Sequence, residues 1–143
     1  MPQQTNKSQQ NLGATRAYIA TGESTTSTST YVDLTTVGPS VTVTIGSNGQ
    51  ALLSMTAEMT NSTSGNYAEM SVVASGANTI TIGTNPYRLF AQATANNQPD
   101  NKYTYTTLLT GLTPGSTTFK IQYRTITGGT ASFQYRELTV VPL

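Results

Sequence analysis

After the first thirty residues, short runs of β-branched and aromatic residues alternate with turn residues at intervals of about ten residues. In such a run every second side chain points to the same face, so one face is apolar and the other carries hydroxyl groups. Val41, Val43 and Ile45 show this pattern, with one threonine between each pair. No segment has the spacing of an amphipathic helix. The pattern therefore predicts an all-β fold of about nine strands.

Nine strands are enough for two antiparallel sheets that pack face to face in a β-sandwich, of the jelly-roll or the immunoglobulin and fibronectin type. We expect the sandwich to comprise residues 31–143. The glycine-containing segments 46–49, 60–66 and 127–130 are interpreted as the turns of β-hairpins. As with Val41, Val43 and Ile45, we expect alternate residues of three other strands to form inward rows, whose side chains face the core. These rows are Leu53, Met55 and Ala57; Met70, Val72 and Ala74; and Phe119, Ile121 and Tyr123.

Residues 1–30 contain few apolar side chains and are rich in Gln, Asn, Ser and Thr, so they cannot form a core. We expect them to be an extended N-terminal arm, joined to the sandwich by the hydroxyl-rich linker 24–30. Arg16, Tyr18 and Ile19 are the residues expected to anchor this arm on another protein. The alternative interpretation is a solvated tail without a role.

A low and balanced charge limits the classes of partner. The chain has seven Lys and Arg residues and six Asp and Glu residues. Charged residues make up 9% of the chain, against about 25% in an average protein. Hydroxyl groups, from 29 Thr and 13 Ser, must solvate the surface instead. A net charge of +1 does not favour binding to nucleic acid or to an anionic membrane. No apolar stretch predicts a transmembrane helix or a signal peptide.

The chain has no His and no Cys, which excludes imidazole bases, cysteine nucleophiles and thiolate zinc sites. Among the six carboxylates, Glu58 and Glu69 are expected to approach each other across a hairpin. Two solvated side chains are a stronger interpretation of this pair than a calcium site. No Ser-x-x-Lys spacing and no phosphate-binding glycine motif is present. We therefore expect a protein that is not an enzyme and needs no cofactor or metal.

Two of the eight tyrosines, Tyr103 and Tyr105, lie two residues apart on one predicted strand and therefore share a face. The favoured interpretation is that they are core or subunit-interface residues. The alternative is an exposed aromatic platform on which sugar rings stack.

Some segments resemble known β-sandwich families. Leu109–Tyr123, which contains Leu-Thr-Pro-Gly, resembles the crossing between sheets in fibronectin type III-like domains and implies a sandwich. YVDLTTVGPSVTVTI at residues 31–45 and RELTVVPL at residues 136–143 resemble the Thr-, Ser- and Gly-rich β-sandwich modules of tailed-bacteriophage virion proteins. That resemblance implies a capsid decoration (cement) protein or a fibre domain. It assigns no functional residue, because these modules act through surfaces.

A short single domain without coiled-coil heptads or collagen-like repeats favours capsid decoration over a fibre. We therefore expect a homo-oligomer, a dimer or a trimer, that binds the phage major capsid protein on the outer surface of the virion and stabilises capsomer contacts. The alternative is a phage tail or head fibre module that binds host surface polysaccharide through exposed tyrosines such as Tyr103 or Tyr105. A third possibility is an adhesin-like bacterial surface domain, which an export signal would favour.

Overall fold

The structure is a computed structural model that describes residues 13–82 and 86–143. Within these ranges the prediction of an all-β fold is confirmed. No helix that is long and apolar enough to cross a bilayer is found in them. The strands are β1 (Thr15–Ile19), β2 (Glu23–Thr25), β3 (Ser40–Ile45), β4 (Ala51–Asn61), β5 (Tyr67–Gly76), β6 (Arg88–Gln92), β7 (Asn101–Leu109), β8 (Gly115–Ile126) and β9 (Ala131–Pro142).

These strands form two antiparallel sheets, so the predicted β-sandwich is also confirmed. Sheet A has the order β1-β9-β4-β7, and β2 pairs with β9 beyond the end of β1. Sheet B has the order β3-β8-β5-β6. If β1 and β2 are counted as one interrupted strand, these are the two four-stranded sheets of a jelly roll. Of the two predicted types of sandwich, the chain therefore adopts the jelly roll.

The core lies between the two sheets and is filled by the inward rows that the alternating pattern predicts. Val41, Val43 and Ile45 are buried on β3, whereas the residues between them are exposed. Every residue of the rows predicted on β4, β5 and β8 is buried as well. Phe119, the first residue of the β8 row, has no exposed surface. The hydrophobic effect therefore fixes the face that each of these strands turns inward.

The three predicted hairpins are wrong, because each of these turns carries the chain from one sheet to the other. Segment 46–49 does form a tight turn, in which the N–H of Gly49 donates to the carbonyl of Gly46 at 3.1 Å. It connects β3 in sheet B to β4 in sheet A, however, and these strands do not pair. Segments 60–66 and 127–130 make the same kind of crossing. Turn chemistry predicts a reversal of the chain but not the sheet that the next strand joins.

Residues 15–25 belong to sheet A, although the sequence assigns them to the arm. β1 and β2 both pair with β9, and these backbone hydrogen bonds hold a segment that has few apolar side chains. The chain then runs along β8, where Val32 and Tyr123 exchange two backbone hydrogen bonds of 2.8 and 2.9 Å. The sandwich therefore includes strands that begin before residue 31. The first twelve residues of the predicted arm lie outside the described residues.

Candidate functional site

The predicted anchor residues lie on β1, at the edge of sheet A. Arg16 and Tyr18 point outward, and Tyr18 is 47% exposed. The guanidinium of Arg16 lies 5.1 Å from the centre of the Tyr18 ring and pairs with Glu137 on β9 at 2.5 Å. The hydrogen bond from Arg16 holds the pKa of Glu137 below its usual range. Ile19 is half-buried on the opposite face of β1, so the structure separates it from the other two.

Tyr135 is also exposed, on the strand next to β1, and it is not among the residues predicted from the sequence. The register between β4 and β9 shifts at this point, and Tyr135 has a φ of 49°. Such a bulge inserts one extra residue, which leaves Tyr135 exposed and turns the next residue, Arg136, into the interior. Arg16, Tyr18 and Tyr135 are called the β1–β9 patch below. No local sequence signal marks the bulge, because it depends on the pairing of distant strands.

Tyr103 and Tyr105 are on the inward face of β7, where they are partly buried and pack against the core. The outward positions between and beside them are occupied by Thr104 and Thr106, which are exposed. A platform for sugar stacking needs exposed aromatic rings. These two tyrosines therefore lie on the core side of β7, and their rings do not form a fully exposed platform.

Glu58 and Glu69, the other predicted pair, are on different sheets. Glu58 accepts a hydrogen bond from Gln134 at 3.0 Å on the outer face of sheet A. Glu69 is on β5 in sheet B, so the sandwich separates the two carboxylates. Among residues 13–82 and 86–143, no group of three or more Asp and Glu side chains is placed to hold a metal ion.

Glu69 lies between two arginines on the outer face of sheet B. The register of the sheet places it opposite Phe90 on β6 and opposite Arg124 on β8. Its Oε2 accepts a hydrogen bond of 2.5 Å from Nε of Arg124, and its Oε1 lies 3.2 Å from Nη1 of Arg88. The Glu69 side chain is only 1% exposed. This carboxylate is thus held in place although it is on an outward position.

Tyr31 packs against the same cluster from the segment that precedes β3. Its ring centre is 4.5 Å from the guanidinium carbon of Arg124. Burial and the neighbouring Glu69 carboxylate raise the pKa of Tyr31 to about 12. Neither the hydroxyl of Tyr31 nor Oε1 of Glu69 has a partner with hydrogen-bond geometry among the described residues, although Oε1 is ion-paired with Arg88 and the Tyr31 hydroxyl interacts with the Glu69 carboxylate. The cluster therefore contains two buried polar atoms with unused hydrogen-bonding capacity.

A cleft of about 230 Å³ opens beside this cluster. Phe90 is 55% exposed, and its ring meets that of Tyr67 edge to face, with 6.1 Å between their centres. The residues that line this sheet B cleft are Tyr67, Glu69, Arg88, Phe90 and Ile126. They are alternate, outward residues of three adjacent strands, so the sequence does not show that they lie side by side. The cleft can be recognised only when the order of the strands is known, because β5 lies between β6 and β8 and brings these residues together.

No protein-family model and no curated protein matches the chain. Its fold is similar to two structures of infectious bursal disease virus, the Gx strain and the VP2 subviral particle. Each has a TM-score of 0.50 and 12% sequence identity, and the match covers 91% of this chain and 32% of that chain. A structure of dimeric latent PorU from Porphyromonas gingivalis has a TM-score of 0.49 and 14% identity, over 87% of this chain and 13% of that chain. The chain thus spans about a third of the viral structures, and at this identity the likeness shows the jelly-roll fold alone.

Proposed function

We propose that this protein is a structural virion protein that decorates the outer surface of a phage head. In this proposal a homo-oligomer of the sandwich binds the major capsid protein through the β1–β9 patch and the N-terminal segment that leads into it. The observation that carries the proposal is the patch itself, where Arg16 and Tyr18 are exposed together on the edge strand of sheet A and Tyr135 is exposed on the neighbouring strand β9.

Tyrosine and arginine are enriched among the residues that contribute most to protein interfaces. Farther across the outer face of sheet A, hydroxyl groups pair with each other, as Thr56 and Thr104 do at 2.9 Å and Ser54 and Thr106 do at 3.0 Å. These hydroxyls already have partners, so they gain little from contact with another protein. The patch is therefore the part of this face from which we expect most of the binding free energy.

The likeness to the virus structures favours a role in a virion by fold analogy alone, because about a third of the chain in one subviral particle has a similar fold. A shell also presents the same surface many times. If each oligomer contacts several capsid subunits, modest affinity at each patch is multiplied by avidity. The proposal therefore does not need a large interface on any one copy.

Point variants test this proposal better than removal of the first thirty residues. Truncation at residue 30 deletes β1 and β2 and exposes the edge of β9, so lost binding would not identify the cause. Tyr18→Ala removes one exposed ring and leaves the backbone pairing of β1 intact. Phe90→Ala is a matched control, because it removes an exposed ring from the opposite sheet.

The experiment is co-sedimentation of the purified wild type and both variants with emptied phage heads that lack this protein. We expect Tyr18→Ala to bind at least about tenfold more weakly, as is typical of a residue that dominates an interface. Phe90→Ala should bind like the wild type. Equal binding by all three proteins would show that the β1–β9 patch is not the contact, and no binding by any of them would refute the decoration role.

A further inference from the structure

We propose that the sheet B cleft binds a neutral carbohydrate, one pyranose ring of an oligosaccharide or polysaccharide. This activity is separate from capsid binding, because the cleft and the β1–β9 patch are on the outer faces of opposite sheets. Three features of the cleft carry the inference: an exposed aromatic ring, a buried carboxylate oxygen that is ion-paired with Arg88 but accepts no hydrogen bond from the described residues, and a rigid supporting cluster.

The aromatic half of the cleft suits the apolar face of a sugar ring. Phe90 is on the edge strand β6 and is more than half exposed, while its contact with Tyr67 orients the ring. Ile126 adds an aliphatic surface beside it. The C–H groups on one face of a pyranose pack favourably against such a ring, because the face of an aromatic ring carries partial negative charge.

The polar half of the cleft suits a hydroxyl group. Oε1 of Glu69 accepts hydrogen bonds only, is buried and has no hydrogen bond from the described residues. Arg88, whose side chain is 42% exposed, presents N–H donors on the same side of the cleft. A sugar hydroxyl is both a donor and an acceptor. One hydroxyl can therefore donate to Glu69 and accept from Arg88, which adds a hydrogen bond to a carboxylate oxygen that otherwise has only its ion pair with Arg88.

Other classes of ligand fit this arrangement less well. A phosphate or sulfate would approach Arg88 but would also meet the Glu69 carboxylate. An apolar helix would pack on Phe90 but would leave Oε1 of Glu69 without a hydrogen bond. A neutral polyhydroxylated ring with one apolar face meets both requirements, and this is the chemistry of a hexopyranose.

The cluster beneath the cleft fixes the group that recognises the ligand. Arg124 holds Oε2 of Glu69 and lies against the ring of Tyr31, so the carboxylate has little freedom before a ligand binds. All the lining residues are on strands, which position side chains more rigidly than loops do. Preorganisation of this kind reduces the ordering cost of binding.

The test is binding of the purified protein to an array of neutral and acidic oligosaccharides, followed by titration calorimetry with the best neutral hexose ligand. We expect the wild type and Tyr18→Ala to bind a neutral saccharide equally. Phe90→Ala and Arg88→Gln should each weaken this binding at least about tenfold. Both residues are exposed, and Glu69 keeps its hydrogen bond from Arg124 in Arg88→Gln, so neither change should prevent folding.

Three outcomes would overturn the proposal. They are no binding of any neutral saccharide at millimolar concentration, unchanged affinity in both cleft variants, and binding only to acidic saccharides that high salt abolishes. The head-binding assay separates this result from the capsid proposal. We expect Phe90→Ala to lose saccharide binding and to retain binding to phage heads. We expect Tyr18→Ala to retain saccharide binding and to lose binding to phage heads.

Discussion

Arg136 on β9 and Glu23 on β2 form an ion pair inside the protein, with 2.6 Å between Nη2 and Oε2. Arg136 is fully buried, and the Glu23 side chain is 12% exposed. The guanidinium of Arg136 also lies 5.4 Å from the centre of the Tyr123 ring. Its Nε has no hydrogen-bond partner among the described residues. Glu23 is therefore the main group that neutralises this buried charge. The ion pair stabilises the contact between β2 and β9.

Replacing the carboxylate of this pair should destabilise the protein strongly. Glu23→Gln leaves the buried Arg136 charge without an anion, and we expect the free energy of unfolding to fall by about 3 kcal/mol. Urea denaturation at neutral pH measures this loss. Arg136→Met should cost less, because it removes the buried charge and leaves Glu23 with two hydrogen bonds from Thr36. Equal losses in both variants would contradict the assignment of Glu23 as the compensating group.

The same pair predicts how stability depends on pH. Burial alone would raise the pKa of Glu23, but hydrogen bonds from Thr36 and the charge of Arg136 outweigh it and hold the pKa below its usual range. A carboxylate with a lowered pKa in the folded state stabilises the protein above its unfolded pKa of about 4.3. This contribution is lost as the pH falls through the folded pKa.

We therefore expect the urea midpoint of the wild type to decrease as the pH is lowered below about 4. In Glu23→Gln the decrease should be smaller, because this titrating group is absent. Glu137, whose pKa is also lowered, remains in both proteins and accounts for a residual slope. Parallel curves for the two proteins between neutral and acidic pH would argue against this coupling.

Gly49, in the crossing from β3 to β4, tests the jelly-roll connection. Its φ is 63°, and a Cβ atom at this position would lie 2.5 Å from the carbonyl oxygen of Leu112. Gly65 is a matched control, since its φ is 84° but no atom lies within 4 Å of the corresponding position. Gly65→Ala should cost about 1–2 kcal/mol through backbone conformation alone. Gly49→Ala should cost about 1–3 kcal/mol more, because the backbone of Leu112 must move. Thermal unfolding of both variants measures the difference, and equal melting temperatures would show that the crossing is loosely packed.

The alternating pattern was sufficient to predict which residues face the core, because the two-residue period of a strand depends only on local sequence. Val43 and Ile121 are inward for this reason. Strand partners were not predictable in the same way. β1 pairs with β9, about 120 residues away, so the sequence around Tyr18 contains no sign of its partner. The hairpin predictions failed for the same reason, since a turn does not encode the sheet of the next strand.

The candidate sites were predictable only in part. Arg16 and Tyr18 stand out in the sequence as part of a small cluster within a polar segment, and the structure places them together on an exposed edge. The sheet B cleft was not predicted, because Glu69, Arg88 and Arg124 meet only through the order β8-β5-β6. Sites of this kind depend on long-range register and become visible once the topology is known.

Counting bound copies per particle, after co-sedimentation with emptied phage heads and separately with tails, tests the central proposal most directly. We expect on the order of hundreds of copies on each head and only background on tails, because a closed shell repeats each surface site across its lattice. A handful of copies per head, or binding to tails alone, would contradict capsid decoration and indicate a fibre or tail role instead.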